Sequence, residues 1–262
     1  MNSDTKQFPE FQTNNSIDKI TQLSRAYIKK SYIYVDSNNA YCIYGIHKLL
    51  NDEEYDPIAI FYIAEYSDQC ARKHCWGDCR QFKLFASDTQ VKEKNENFEN
   101  NIFLEFDRPK RCTCCCFKRP EMFVNLKTNN STLYIGRIVM PFKFCYNTMQ
   151  IEAYDSNNYL KYKMKDGCCK CILICGGLTC KKTCKEDYLK LYDKNQQELK
   201  PIKSKAYDCE QSCQFGINDK IIDFPYASQA KDKILLIATV IMHDLTYFEQ
   251  KPEKRKVYKS IN

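Results

Sequence analysis

The stretch I-L-L-I-A-T-V-I-M at residues 234–242 is the only long apolar run in a chain of 262 residues. The chain as a whole is hydrophilic, with a mean hydropathy of -0.58. The run has no polar face at the 3.6-residue period of a helix, and a helix that is apolar all round must be buried in protein or in lipid. The sequence therefore predicts that the fold is organised around this segment.

Length separates a core helix from a membrane span only in part. A helix rises 1.5 Å per residue, so crossing ~30 Å of hydrocarbon takes about 20 apolar residues. The run is shorter, and extending it to Phe248 places Asp244 in the bilayer at a cost of roughly 2.5–3.5 kcal/mol. We expect a helix near 232–249 in a protein core, with a strand or a span as alternatives. Its core or membrane residues are Ile234, Leu235, Leu236, Ile237, Val240 and Ile241.

The rest of the chain has the periodicity of short strands. Residues 17–28 space their apolar side chains by three and four, which predicts an amphipathic helix. After residue 31 the period is two, and turn signals such as 51–54 and 155–158 separate segments rich in Tyr, Ile, Phe and Val. The predicted strands are 31–35, 40–46, 58–66, 82–86, 102–106, 121–127, 132–139, 149–154, 159–164, 188–192, 198–202 and 220–224.

About twelve short strands at regular spacing indicate an all-β sandwich or barrel. Closing the sheet removes its exposed edges. A barrel of about twelve strands has a lumen too wide for its own side chains to fill. The apolar segment fits that lumen, so the sequence predicts a mainly β fold: a closed, about twelve-stranded β-barrel enclosing a C-terminal hydrophobic α-helix.

No linker divides the chain, and we expect one domain at 16–250 between a disordered tail at 1–15 and a basic tail at 251–262. The first residues lack the pattern of a secretory signal, so the 17 cysteines are expected in a reducing compartment without disulfides. The net charge of +7 fits a protein that visits anionic membranes, and many that do not.

One cysteine cluster has the setting of lipid attachment. Cys112, Cys114, Cys115 and Cys116 stand between the basic residues Arg108, Lys110, Arg111, Lys118 and Arg119. Exposed thiols beside a basic patch are typical of S-palmitoylation, and several chains, or one chain plus a basic patch, anchor stably. The alternative is a set of buried thiols in a tight turn.

Other cysteines have spacings that could hold zinc. Cys169, Cys171, Cys180 and Cys184 supply a candidate set of four ligands, and Cys75 and Cys79 lie near His74. No segment has the C-x2-C pair repeated, and turns without metal are the alternative.

No catalytic motif is present, and we predict that the protein is not an enzyme. The chain has 3 His, none in an H-E-x-x-H helix, and it lacks a G-x-S-x-G elbow or a phosphate-binding loop. His243 and Asp244 lie in the apolar segment, where we expect a buried pair that satisfies its own hydrogen bonds.

Several motifs carry a family resemblance. They are F-Y-I-A-E at 61–65, R-P-K-R-C-T-C-C-C at 108–116, the cysteines at 168–184, and F-P at 224–225 followed by the apolar segment with its internal Asp. From about residue 17 to 248 the chain resembles the phospholipid scramblases. The resemblance implies a tubby-like barrel of twelve strands around a C-terminal helix. It also implies a protein on the cytoplasmic face of a membrane, expected to be the plasma membrane, that moves phospholipids between leaflets without ATP in response to calcium.

The resemblance also assigns sites. It implies palmitoylation at Cys112, Cys114, Cys115 and Cys116, although Phe117-Lys118 stands where the family often has further cysteines. Its calcium segment maps onto Asn218, Asp219 and Asp223, with Gly216 and Ala227 at positions that are acidic in the family. Calcium takes six to eight oxygen ligands, so this segment would make a weak site at best. A polar turn leading into the helix is the alternative.

Two functions remain open at this point. The first is a membrane-associated lipid scramblase. The second is an acylated, membrane-tethered adaptor that binds lipids or proteins without transporting lipid. Nucleic-acid binding is not expected, because Lys200, Lys203 and Lys205 are too sparse to indicate it.

Overall fold

The computed structural model describes residues 15–31, 40–48, 53–55, 59–66, 81–88, 101–110, 120–128, 131–141, 150–165, 186–206 and 218–247. The helices within these ranges are α1 (Asn15–Gln22) and α2 (Ala230–Tyr247). The strands are β1 (Arg25–Ser31), β2 (Ala40–Lys48), β3 (Glu53–Tyr55), β4 (Phe61–Tyr66), β5 (Phe82–Ser87), β6 (Ile102–Arg108), β7 (Glu121–Thr128), β8 (Ser131–Val139), β9 (Gln150–Asp155), β10 (Leu160–Lys165), β11 (Glu186–Asp193), β12 (Ile202–Ala206) and β13 (Asn218–Asp223).

These strands close into a barrel. They form a 13-stranded sheet in the order β1-β13-β12-β11-β10-β9-β8-β7-β6-β5-β4-β2-β3, and β1 also pairs with β2. That last pairing joins the sheet to itself and leaves β3 as a short addition on β2. The result is a closed barrel of 12 antiparallel strands, as the sequence predicted.

Helix α2 fills the lumen of the barrel. Every residue from Lys233 to Leu245 is buried. On one side Leu235 packs against β8, where a Cβ on Gly136 would lie 3.1 Å from the Cδ2 atom of Leu235 and 2.1 Å from the carbonyl oxygen of Tyr154. On the other side Asp244 contacts β1 and β2. The predicted enclosed helix is confirmed, and it begins at Ala230.

The up-and-down order of the strands gives the barrel two distinct ends. At the near end, where α2 begins, Arg25 and Lys200 both pair with Asp223, and Lys161 of β10 pairs with Asp232. The far end holds the end of α2 at Tyr247. It also holds the other termini of the strands, including Arg108, Glu121, Lys165 and Glu186.

Two hairpin turns at the near end are built in the same way. The Oδ1 atom of Asp155 accepts hydrogen bonds from the backbone N–H groups of Asn157 and Tyr159, both at 2.9 Å. Asp193 Oδ1 accepts from Asn195 and Gln197, both at 2.8 Å. Aspartate favours such turns because its side chain bonds to the backbone a few residues on. The turn predicted at 155–158 is therefore confirmed.

The start of the chain differs from the sequence prediction. The helix predicted at 17–28 ends at Gln22, and Arg25–Ser31 is strand β1. Ala26 and Ile28 belong to the barrel core, while Tyr27 lies in a separate cluster with Ile46 and Ile221, so the period here is two. Pairing with both β13 and β2 makes β1 the closing strand, and these long-range hydrogen bonds override a local helical pattern.

Three other predicted boundaries change. The strand predicted at 31–35 overlaps β1 only at Ser31, and 32–39 lie outside the described residues. The turn predicted at 51–54 overlaps β3. The strand predicted at 198–202 is reduced to a bridge between Glu198 and Tyr192, and β12 begins at Ile202. Proline has no N–H to donate to a ladder, which explains why β12 begins directly after Pro201.

Candidate functional site

A buried ion pair joins α2 to the strands that close the barrel. The Oδ2 atom of Asp244 accepts hydrogen bonds from Lys30 Nζ at 2.6 Å and from the hydroxyl of Tyr41 at 2.8 Å. The side chains of Lys30 and Asp244 are only 3% and 4% exposed. A buried charge is costly unless it is paired and hydrogen-bonded, so this cluster fixes the position of α2 inside the barrel.

A second lysine extends this buried cluster. Lys220 of β13 is buried, and its Nζ atom donates to Ser204 Oγ at 2.6 Å. It faces the same small void as Lys30, Tyr41 and Asp244, and that void has no room for a ligand. The cluster therefore holds the helix in place and is not a substrate pocket.

His243 is also buried within the barrel. Burial, and then the charge of Lys220, lower the pKa of His243 well below its ordinary value, so the imidazole is neutral. We expected His243 and Asp244 to be a buried pair, and both are buried. The Oδ2 atom of Asp244 bonds to side chains of β1 and β2.

The residues predicted to bind calcium lie along β13. Asp219 is fully buried and accepts a hydrogen bond from the hydroxyl of Tyr27. Asp223 forms an ion pair with Arg25 at 2.7 Å and lies 3.8 Å from Lys200. Asn218 begins the strand. Residues 218–223 are extended, and the polar turn that we weighed as the alternative lies after them, at Tyr226 and Ala227 before α2.

Strand geometry separates the two carboxylates of this predicted site. At 3.2–3.4 Å per residue, the Cα atoms of Asp219 and Asp223 lie roughly 13 Å apart. The two carboxylates therefore do not converge on one ion. Among the residues described, no three His, Cys, Asp or Glu side chains gather as a metal site would require.

The cysteines predicted to carry acyl chains or zinc lie outside the described residues, namely Cys112, Cys114, Cys115 and Cys116, and Cys169, Cys171, Cys180 and Cys184. The strand ends that flank them are described. The polycysteine segment leaves β6 after Arg108 and returns before Glu121, and the zinc-type segment leaves β10 after Lys165 and returns before Glu186. All four of these strand ends lie at the far end of the barrel.

One base that flanks the polycysteine segment is part of the core. Arg108 is 1% exposed, and its guanidinium carbon lies 5.1 Å from the ring centroid of Phe82. Lys110, two residues on, is exposed. Arg108 therefore does not contribute to a surface patch of bases, whereas the exposed side chain of Lys110 is free of the core.

The sequence contained a signal for the buried cluster that our prediction did not use. On β1 the inward-facing residues are Ala26, Ile28 and Lys30, and on β13 they are Lys220 and Ile222. A lysine in the apolar phase of a strand must find a partner inside the protein. Lysines at inward-facing strand positions need an acidic partner in the core, and Asp244 is the acid within the apolar segment.

The fold and the site define a class: a closed antiparallel barrel whose central helix is held by a buried ion pair. No helix in the described ranges is long and apolar enough to cross a membrane. Comparison of the chain with known protein families, with curated proteins and with solved structures found no match.

Proposed function

We propose that this protein is a membrane-tethered, phospholipid scramblase-like protein. In this proposal it accelerates ATP-independent movement of phospholipids between leaflets from the cytoplasmic face of a membrane, with the plasma membrane as the expected location. The observation that carries the proposal is the closed barrel around an apolar helix. The scramblase resemblance, based on residues 108–116 and 224–225, implies that architecture.

Acyl chains supply the tether in this proposal. The polycysteine segment with Cys112, Cys114, Cys115 and Cys116 connects β6 to β7 in the chain, and the strand ends that flank it lie at the far end of the barrel. A single acyl chain binds membranes only marginally, whereas several chains, or one chain beside basic residues, give stable anchoring. The far end of the barrel would then face the bilayer.

The position of α2 restricts the mechanism. Moving α2 into lipid would break the Lys30–Asp244 pair and place a carboxylate in hydrocarbon. The proposed protein therefore acts with α2 inside the barrel, by disturbing lipid packing where the barrel meets the membrane surface. Calcium and zinc are not part of this mechanism, and calcium is tested as an added variable.

A second function is favoured by the same observation. Because α2 is used as the core of the barrel, it is not available as a lipid-inserting segment. An acylated adaptor that binds lipid head groups or a protein partner, without moving lipids, needs no such segment. The two proposals differ in whether lipid transport is intrinsic to the protein.

Reconstitution separates them. The full chain is placed in liposomes that carry a fluorescent lipid in both leaflets, and a membrane-impermeant quencher is added outside, with and without calcium. The scramblase proposal expects quenching to proceed beyond the outer-leaflet fraction, faster than in protein-free vesicles and in vesicles with an unrelated tethered protein. Quenching that stops at the outer-leaflet fraction at high protein density would contradict it and leave the adaptor proposal.

A further inference from the structure

The outer wall formed by β10, β11 and β12 is rich in lysine and tyrosine. Alternation along these strands turns Met164, Leu189, Leu191 and Ile202 into the core. The outward positions between them form what we call the basic face: Lys163, Lys165, Tyr188, Lys190, Tyr192 and Lys203. Tyr188 is 46% exposed, and Lys190 is exposed.

The strand register places positive charges against each other on this face. Lys165 of β10 stands directly opposite Lys190 of β11, and Tyr188 stands opposite Lys203 of β12. Like charges that are directly opposite in neighbouring strands destabilise a sheet. Lys163 has an acidic neighbour, Glu152, at 3.7 Å, but the Lys165–Lys190 pairing works against the stability of the barrel.

Another part of the same wall is arranged in the opposite manner. On β5, β6 and β7, Glu105 stands between two lysines, with Lys83 at 2.6 Å and Lys127 at 2.8 Å. On β8, Arg137 pairs with Glu121 of β7 at 2.8 Å. The fold therefore pairs opposite charges on neighbouring strands elsewhere, and a local conflict of this kind in a native protein is expected at a functional site.

We infer that the basic face docks onto an anionic phospholipid bilayer. Lysines are attracted to the negative surface potential of such a bilayer, and tyrosine rings are favoured at the level of the head groups. The Nζ atom of Lys165 lies 4.6 Å from the ring centroid of Tyr192, so the face presents a charge and an aromatic ring together.

This inference rests on the proposed membrane function and gives it an orientation. Lys165 is the last residue of β10, at the far end of the barrel, and the strand ends flanking the polycysteine segment lie at that end too. Acyl chains and a basic face that reaches the same end of the barrel supply the two signals that stable peripheral anchoring requires. The barrel would lie tilted, with its far end and the wall of β10–β12 both toward the membrane.

The test uses the full chain produced without acylation, so that only the protein surface binds. Sedimentation with vesicles of phosphatidylcholine alone, or of phosphatidylcholine with phosphatidylserine, is measured for the wild type and for K165Q/K190Q/K203Q. A matched control, K194Q/K200Q/K231Q, removes three lysines that are exposed at the near end. Each lysine near an anionic surface contributes about a fivefold change in partitioning, so the first variant should bind about 100-fold more weakly.

The control variant should bind like the wild type, and wild-type binding should fall as salt is raised, since screening shortens the range of the attraction. Thermal unfolding supplies a second readout. K190Q alone should be at least as stable as the wild type, because it removes the opposed lysine, while its binding falls. If a variant bound weakly only because it was misfolded, its Tm would also be lower than that of the wild type.

Equal vesicle binding by the two triple variants would overturn the inference, and so would equal binding of the wild type to neutral and anionic vesicles. Binding to single-stranded RNA is measured as well. A third contrary result would be that K165Q/K190Q/K203Q loses RNA binding while its vesicle binding is unchanged. The last result would assign the face to nucleic acid. Failure here is distinct from failure of the proposed function. If the wild type scrambles lipids but K165Q/K190Q/K203Q binds vesicles normally, only docking through the basic face is refuted. If the wild type docks through this face but does not scramble lipids, only the transport proposal is refuted.

Discussion

Lys30 Nζ and Asp244 Oδ2 lie 2.6 Å apart inside the barrel, although 214 positions separate these residues in the chain. The pair joins the first strand of the barrel to its central helix. Because β1 is also the strand that closes the sheet, one contact connects closure of the barrel with filling of its lumen. The stability of the fold should therefore depend strongly on Asp244.

Replacement of Asp244 by Asn should destabilise the protein by about 3–5 kcal/mol, because it leaves the charge of Lys30 buried without a counter-charge. The free energy of unfolding is measured by urea denaturation. Asp232→Asn is the matched control on the same helix, since its pair with Lys161 at 3.2 Å lies nearer the surface. That change should cost at most about 1 kcal/mol.

A double variant tests whether the loss comes from the pair itself. In K30M/D244N the uncompensated charge of Lys30 is removed, and Tyr41 can still donate to the new amide. The double variant should therefore be more stable than D244N. Two results would contradict a coupling between Lys30 and Asp244. One is an equal loss of unfolding free energy in D244N and D232N, and the other is additive losses for K30M and D244N in the double variant.

Gly136 should not tolerate a side chain. A Cβ there would lie 2.1 Å from a backbone oxygen of β9, which cannot move aside as a flexible side chain would. We expect Gly136→Ala to cost at least about 1–3 kcal/mol, the usual range for overpacking. Thr132→Ala, at an exposed position of the same strand, is the control and should have little effect. A G136A protein with an unchanged urea midpoint would contradict the close passage of β8, β9 and α2.

Much of the fold could be predicted from the sequence because its two main signals are local. The strands are recognised by apolar residues that alternate with a period of two, and residues 234–242 are recognised because they have no polar face. The step from strands to a closed barrel needed only one further argument, that a wide lumen must be filled. The structure confirms that argument.

The site was harder to predict because its contacts are long-range. Nothing within a short window connects Lys30 with Asp244, or Tyr27 with Asp219. The first half of β1 has the apolar spacing of a helix. It is a strand because it pairs with residues 40–45 and 220–223, which lie far away in the chain. The lysines of the basic face appear sparse along the chain and come together only through the register of three strands.

Acidification should destabilise the folded protein through His243. Burial lowers the pKa of His243 in the folded state, whereas in the unfolded chain it stays at about 6.5. Below that pH the unfolded chain binds a proton that the folded protein does not, so the free energy of unfolding falls as the pH falls. Between pH 7.5 and 5.5 the loss from this residue should be about 1.4 kcal/mol.

His243→Leu removes this titration, so its stability should depend less on pH than that of the wild type, by about the same 1.4 kcal/mol over that interval. The comparison is made by urea denaturation at both pH values, which cancels the titration of all other groups. If the two proteins lost stability in parallel, His243 would not be a buried neutral imidazole.

Anchoring by the polycysteine segment gives the last prediction. Changing Cys112, Cys114, Cys115 and Cys116 together to Ala should move the protein, expressed in cells that acylate proteins, from the membrane fraction to the soluble fraction. The physical reason is that the basic face alone supplies one weak, salt-sensitive signal, whereas the acyl chains supply the hydrophobic one. A control with Cys168, Cys175, Cys209 and Cys213 changed to Ala should stay with the membrane. Metabolic labelling with a palmitate analogue should mark the wild type and the control but not the first variant. Unchanged sedimentation of the first variant after a salt wash would place the tether elsewhere in the chain.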